Sequence, residues 1–186
     1  MNISLNTERL TIRSIRADDL ADFLEYRSDP AVCEFQGFRP MTEERARKFI
    51  QSVKNARFGQ AGEWIQLCVE LKSERKVIGD IGLKPESYDI RVVEFGISFS
   101  VKYQKKGYAR EALTGIFDLL FEKVGTHRII GITDVNNQSC IRLLENLKFR
   151  REAEFKESFW DEGKNRWRDE YLYAMLEDQW AVGGGQ

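Results

Sequence analysis

One histidine, three prolines, three cysteines and no surplus of either charge limit what this 186-residue chain can do. His127 is the sole imidazole and the sequence has no GxSxG elbow, so a Ser-His-Asp or Cys-His hydrolase would have to rest on that one residue. It reads instead as an exposed loop histidine. Cys33, Cys68 and Cys140 are odd in number, far apart and without a CxxC partner or histidine neighbours, which excludes a disulfide framework and a zinc site. No metal is expected, and a reducing compartment suits free thiols. No stretch approaches the ~18 consecutive apolar residues of a membrane span, and Met1 to Arg9 lacks the basic-then-apolar order of a signal peptide. The chain reads as cytoplasmic. Lys and Arg number 29 against 30 Asp and Glu, a net charge of −1, so no overall field draws nucleic acid or an anionic membrane. Any anion site must be local.

What is present is an ordinary globular balance, 42 % hydrophobic and 32 % charged, which excludes disorder over most of the length. The length suits one domain over 1–180, with 181–186 a flexible tail ending Gly183-Gly184-Gly185-Gln186. Leu10 to Ile15 alternates as a first strand. Asp18-Asp19 opens a helix carrying Leu20, Phe23 and Leu24, and Thr42 caps a second helix that ends near Gly59. Between them the Pro30 to Pro40 stretch reads as a loop. Trp64 to Leu71, Lys76 to Leu83 and Val92 to Val101 form an antiparallel meander. Gly107 to Val124 repeats apolar residues at helical spacing around a wide face, which predicts deep packing on a sheet. With the short strand Arg128 to Thr133 it makes a strand-helix-strand crossover, hence a central parallel pair. A helix from Asn136 to Leu147 and two closing strands, Phe149 to Trp160 and Trp167 to Met175, complete an α/β (α+β) fold: a mixed, mostly antiparallel sheet flanked by about four helices.

Gln104-Lys105-Lys106-Gly107-Tyr108-Ala109-Arg110 lies between a strand and a long helix. A helix start leaves its first N–H groups unpaired and partly positive, and a glycine turn lets several of them converge on a phosphate. Lys102, Lys105, Lys106 and Arg110 add cations, yet neither GxxxxGK[ST] nor GxGxxG is present. Asn136-Asn137-Gln138-Ser139 repeats the arrangement at the next strand end, with Asn136 placed to cap the helix. Two helix starts thus follow the carboxyl ends of two parallel strands, the edge where α/β sheets bind ligands.

These residues resemble a family. Gln104-x-x-Gly107-x-Ala109 matches the Gln/Arg-x-x-Gly-x-Gly/Ala acyl-CoA signature of the GNAT superfamily of N-acetyltransferases, and Asn136-x-x-Ser139 followed by Leu143-Leu144-Glu145-x-x-Lys148-Phe149 is similar to its next motif. Thr7-Glu8-Arg9-Leu10-x-Ile12-Arg13 and the close, Gly163 to Trp180 with Asp169-Glu170-Tyr171-Leu172-Tyr173, resemble the branch containing the RimJ/RimL ribosomal-protein N-terminal acetyltransferases. The resemblance implies acetyl-CoA as cosubstrate and an amine as acceptor, a protein N-terminus first and a small amine or antibiotic as the alternative, in a monomer or homodimer. A non-catalytic CoA-binding domain is a third reading. It further implies that the amides of Lys105 to Arg110 hold the pyrophosphate and that pantetheine runs along Phe99-Ser100-Val101, in a strand with a bulge and a splay from the next. Two positions depart from the pattern: Leu144 stands where many members carry a tyrosine acid, and Lys148 where they carry glycine. Ser139 is the nearest replacement acid, with Asn136 fixing the neighbouring backbone and the bound CoA.

Acyl transfer to an amine requires a proton acceptor and an N–H to polarise the thioester carbonyl. Along Val92 to Val101 the small polar face carries Glu94, the first candidate base, with Glu157 its rival. A sheet carboxylate paired with a surface cation is the competing account of Glu94. Cys140 groups with Leu143, Leu144 and Leu147, which suits a packed thiol better than a nucleophile. Phe35, Phe38, Trp64, Phe159, Trp160 and Trp167 are candidate acceptor-lining residues. Asp161, Glu162, Asp169 and Glu170 alternate with Lys164, Arg166 and Arg168, which argues against a strongly cationic acceptor.

Overall fold

The computed structural model describes residues 1–183, with side chains to Ala181. Eight strands, β1 (Ser4–Asn6), β2 (Leu10–Ser14), β3 (Ile65–Leu71), β4 (Lys76–Pro85), β5 (Val92–Phe99), β6 (Arg128–Asp134), β7 (Arg150–Asp161) and β8 (Arg166–Leu176), make one sheet ordered β1-β2-β3-β4-β5-β6-β8-β7. Among the described residues every neighbouring pair is antiparallel except β5 and β6. That exception follows from the long apolar helix between them, because a crossover returns the chain in the same direction.

Helices cover both faces. α1 (Leu20–Arg27), α2 (Pro30–Cys33) and α3 (Glu43–Val53) pack Phe23, Tyr26, Val32, Ala46 and Ile50 around Cys68 and Val77. Thr42 caps α3 as its sequence predicts, its hydroxyl accepting from Arg45 N at 3.3 Å. α4 (Tyr108–Leu119), α5 (Gln138–Asn146) and α6 (Glu177–Gly183) cover the other face. The wide apolar surface of α4 is buried as expected: Ala112, Leu113, Ile116 and Phe117 are fully covered. Phe117 meets Phe95, Phe149 and Trp180 at ring separations of 5.0, 5.3 and 5.6 Å, which ties β5, α4, α6 and the start of β7 into one core.

Among the described residues six helices stand where about four were expected. α2 is a single turn, started by Asp29, whose carboxylate accepts from Ala31 N at 2.9 Å, with Pro30 in the first helical position. α6 carries Trp180 onto the core, so the tail expected from 181 stays helical to Gly183, and 184–186 lie outside the described residues. α3 ends at Val53 rather than near Gly59, because the chain turns so that Phe58 enters the main core and its N–H bonds Met1 O at 3.0 Å.

The end of α5 explains one departure from the family pattern. Lys148 N–H donates to Glu145 O and Phe149 N–H to Leu144 O, both at 3.0 Å, the paired bonds of a Schellman stop, and Lys148 takes the left-handed φ of 65° that this stop requires. A side chain there is strained by roughly 1–2 kcal/mol. Lys148→Gly is therefore expected to gain about 0.5–1 kcal/mol after the loss from a freer unfolded chain, raising the melting temperature by roughly 1–4 °C. A melting curve unchanged or shifted down would contradict it.

Candidate active site

The pairing of β5 with β6 runs from Val92↔Arg128 to Phe95↔Gly131 and stops, although both strands continue. Beyond that point each follows its other neighbour: β5 stays with β4 to Phe99↔Gly79, and β6 stays with β8 to Asp134↔Glu170. The strands splay. The Phe95 ring packs against the fork, where a Cβ on Gly131 would come within 2.9 Å of it, so a larger residue does not fit there. The β4–β5 register is unbroken from Pro85↔Val93 to Gly79↔Phe99, so the bulge that the resemblance implied is absent. Divergent partners open the gap without one.

A cleft of about 700 Å3 occupies the gap, bordered by Gly96 to Phe99 on one side and Gly131 to Thr133 on the other. Gln36 Nε2 donates to Ile97 O at 3.1 Å and Gln104 Nε2 to Phe99 O at 2.9 Å, so glutamine side chains take strand carbonyls on the open edge. In an antiparallel strand a residue's N–H lies on the same edge as its C=O, which turns the Ile97 and Phe99 amides toward the cleft.

Past Phe99 the strand ends sooner than Val101. Ser100 N–H bonds Ile78 O at 2.9 Å, and Val101–Tyr103 form a 3-10 turn. Lys105 (φ 60°) and Gly107 (φ 84°) then lie in the left-handed region, and α4 begins at Tyr108 with no side chain capping its first amides. Gln104, Lys105, Gly107, Ala109 and Arg110 border the cleft. Lys106 and Tyr108 instead meet Arg9, which donates to Lys106 O at 3.2 Å and lies 4.5 Å over the Tyr108 ring. Arg9 is itself fixed by Glu111, which accepts from Arg9 Nε at 2.6 Å, Arg9 N at 2.8 Å and Thr7 Oγ1 at 2.5 Å. Burial alone would raise the Glu111 carboxyl, but the bonds from Thr7 and Arg9 outweigh it and hold it below its ordinary value. The opening Thr7-x-Arg9 thus braces the turn into α4, a role that sequence spacing could not reveal because its partner is over a hundred residues away.

At the second helix start the cap is Asn137, not Asn136. Asn137 Oδ1 accepts from Cys140 N at 3.1 Å, whereas Asn136 is drawn back to Asp134, whose Oδ1 accepts from Asn136 N at 2.7 Å and Nδ2 at 3.0 Å. Ser139 and Cys140 border the cleft; Asn136, Ser100 and Val101 do not. Leu144 is buried in the core and holds no proton to give.

Glu94 faces Lys84 across β4 and β5, its carboxylate 2.5 Å from the ammonium, and Lys84 also reaches Glu86 at 3.0 Å and the Trp64 ring at 5.2 Å. Burial pushes the Glu94 carboxyl above its ordinary value, against the opposing pull of Lys84. Glu157 sits on an exposed bulge of β7 at φ 48°, its N–H held by Asp169 at 2.8 Å. Neither carboxylate borders the cleft, whereas Glu34 does. Of the six aromatic candidates Phe35 borders it. Phe38 lies over Arg27, Phe159 over Arg168, Trp64 against Gly82, and Trp160 and Trp167 pair with each other toward solvent.

A splayed parallel pair with two helix starts at its mouth turns strand and helix amides toward one open cleft. Residues 9–150 match the model of the acetyltransferase (GNAT) domain. The chain belongs to the GNAT acetyltransferase family. An uncharacterised N-acetyltransferase of Bacillus subtilis (strain 168), YnaD, is 34 % identical over 176 residues, covering 95 % of this chain and 98 % of its own. The crystal structure of a GNAT-family acetyltransferase from Bacillus anthracis superposes with a TM-score of 0.84 at 32 % identity, over 95 % of this chain and 99 % of that one. The fold is shared more distantly with a ribosomal-protein-S5-alanine acetyltransferase from Vibrio fischeri (TM-score 0.78, 22 % identity, 96 % and 98 % covered). It is shared as well with a spermidine N-acetyltransferase from Vibrio cholerae in complex with CoA and spermine (TM-score 0.79, 20 % identity, 94 % and 99 % covered).

The GNAT enzyme takes its acetyl group from acetyl-CoA, and the site fits that donor: free strand amides beside an uncapped helix start, with Lys105 and Arg110 at hand. Burial raises the Cys140 thiol, opposed by a hydrogen bond with Thr133, and a nucleophilic cysteine needs the reverse. No described helix is long and apolar enough to cross a membrane.

Proposed function

We infer that the protein transfers the acetyl group of acetyl-CoA to the α-amine at the N-terminus of a protein or peptide. One observation carries the reading: the cleft offers no carboxylate free to act as a strong base. Glu94 is tied to Lys84, Glu157 stands on an outer bulge, and Glu34, which borders the cleft, is half-exposed beside Lys164 at 4.0 Å. Such a site favours amines already partly neutral. An α-amine, with a pKa of about 7.7–8.0, is roughly a third neutral at pH 7.5, while a lysine amine near 10.4 is about 0.1 % neutral. The similarity of the opening and closing segments to the RimJ/RimL branch supports the same acceptor.

In this reading the amides of Lys105 to Arg110 hold the pyrophosphate, pantetheine follows β5 to Phe99, and the Ile97 or Phe99 amide polarises the thioester carbonyl. Ser139, at the second helix start, donates the proton to the departing thiolate. The amine's proton passes to water in the open cleft, Glu94 being held by Lys84 outside it. Asn136 acts at one remove, through Asp134.

Thiol release at pH 7.5 should favour a peptide with a free α-amine over an Nα-blocked lysine peptide in kcat/KM by on the order of 10²-fold, the ratio of neutral amine. Spermidine should lie with the lysine peptide. A preference for spermidine, or for the blocked peptide, would overturn the assignment.

A further inference from the structure

Four segments distant in sequence meet beside the cleft on one buried side chain. Arg168, on β8, is 7 % exposed. Its Nη1 lies 3.1 Å from Asp134 Oδ2 and donates to Glu34 O at 3.3 Å, and its Nη2 donates to Gln36 O at 3.3 Å. Its Nε stands 3.4 Å from Asp161 Oδ2 with no hydrogen-bond partner, and the guanidinium lies 4.9 Å from the Phe159 ring. The segment it grips, Glu34 to Gln36, borders the cleft and hands the tie on through Gln36 Nε2 to Ile97 O of β5. The other oxygen of Asp134 holds Asn136 and with it the turn into α5.

A buried ion pair is poor evidence for stability, since apolar residues of similar volume commonly serve as well. What an apolar residue cannot do is fix two carbonyls of an irregular segment at a set distance from a strand and a helix start. The planar fork of arginine does this, and the point charge of lysine does not. We propose that Arg168 is a positioning residue for the acceptor: it sets the Glu34–Gln36 wall against β5 and the α5 turn, so that acceptor binding depends on it and acetyl-CoA binding does not. The kinetic part rests on the acetyl-transfer reading above; the structural part does not.

Arg168→Lys keeps a cation beside Asp134 while giving up the fork. It should raise the KM for the acceptor peptide by about tenfold or more with kcat changed less than about threefold, and leave the acetyl-CoA Kd from calorimetry within about twofold. Hydrogen exchange of the amides of residues 34–41 should speed up by about tenfold while those of Lys76 to Phe99 hold. A second variant, Arg168→Gln with Asp134→Asn, removes both members of the buried pair while Asp161 keeps its bonds from Gly163 N and Lys164 N, and should show the same split. Wild-type KM and exchange in both variants would overturn the proposal, and so would a rise in acetyl-CoA Kd parallel to that in KM, which marks general loosening. Faster exchange confined to 34–41 in an enzyme that acetylates no α-amine would support the clamp and overturn the acceptor assignment instead.

Discussion

Gly107→Glu is expected to abolish measurable acetyl-CoA binding, lowering the affinity by at least on the order of 10²-fold, while the protein stays folded. Two effects combine. Gly107 holds φ 84° as the residue before α4, where a side chain is strained by roughly 1–2 kcal/mol, and a Cβ there comes within 3.3 Å of Arg9 Nη2. The glutamate then sets a negative charge at the uncapped amides of α4, which in the proposed reading receive the phosphates. Gly107→Ala isolates the strain: it should lose only a few-fold in affinity and about 1 kcal/mol in stability. Gly107 is exposed and contributes nothing to the core, so a calorimetric titration of a folded Gly107→Glu protein reads the site alone. An unchanged affinity would remove the phosphates from this helix start.

How legible this site was depends on the range of the interactions that build it. The Thr42 cap and the wide face of α4 are set by residues within a turn or two of one another, and periodicity and capping chemistry read them correctly. The splay of β5 from β6 is half legible: a crossover implies a parallel pair, but where pairing stops depends on how far β4 and β8 hold their own partners. The choice between Asn136 and Asn137 as cap was beyond local reading, because either amide suits the role and the decision falls to the Asp134 carboxylate. Three arginine clamps were out of reach altogether. Arg9 with Glu111, Arg27 with Asp80 and Arg168 with Asp134 join residues 102, 53 and 34 positions apart, and an arginine in a strand or helix carries no local mark of burial. Arg9 secures the turn into α4 and Arg168 the Glu34–Gln36 wall of the cleft, while Arg27 ties α1 to β4.

The Arg27–Asp80 clamp should therefore dominate stability. Asp80, on β4, is 1 % exposed, and its carboxylate accepts from Tyr26 Oη at 2.6 Å, Gln66 Nε2 at 2.5 Å, Arg27 Nε at 2.9 Å and a second Arg27 nitrogen. Arg27 is equally enclosed, with Phe38 4.0 Å over its guanidinium. Asp80→Ala leaves that cation buried without a counter-charge and the Tyr26 hydroxyl without an acceptor. Loss of one partner from such a pair costs about 3–5 kcal/mol, or roughly 6–20 °C in melting temperature for a chain of this size. Removing both charges, as in Arg27→Met with Asp80→Leu, should restore most of that loss, since the desolvation of two ions disappears with their attraction. The surrounding groups also set a pH limit. Burial, then Asp80, push the Tyr26 hydroxyl well above its ordinary value, so the folded protein keeps a proton that the unfolded chain gives up near pH 10. Stability must then fall as pH rises above about 10. Tyr26→Phe should flatten that alkaline slope in urea titrations while costing about 1–3 kcal/mol at neutral pH through the unmet acceptor on Asp80. A melting temperature for Asp80→Ala within a few degrees of wild type would mean that water reaches Arg27, and that the clamp is a surface pair in its energetics.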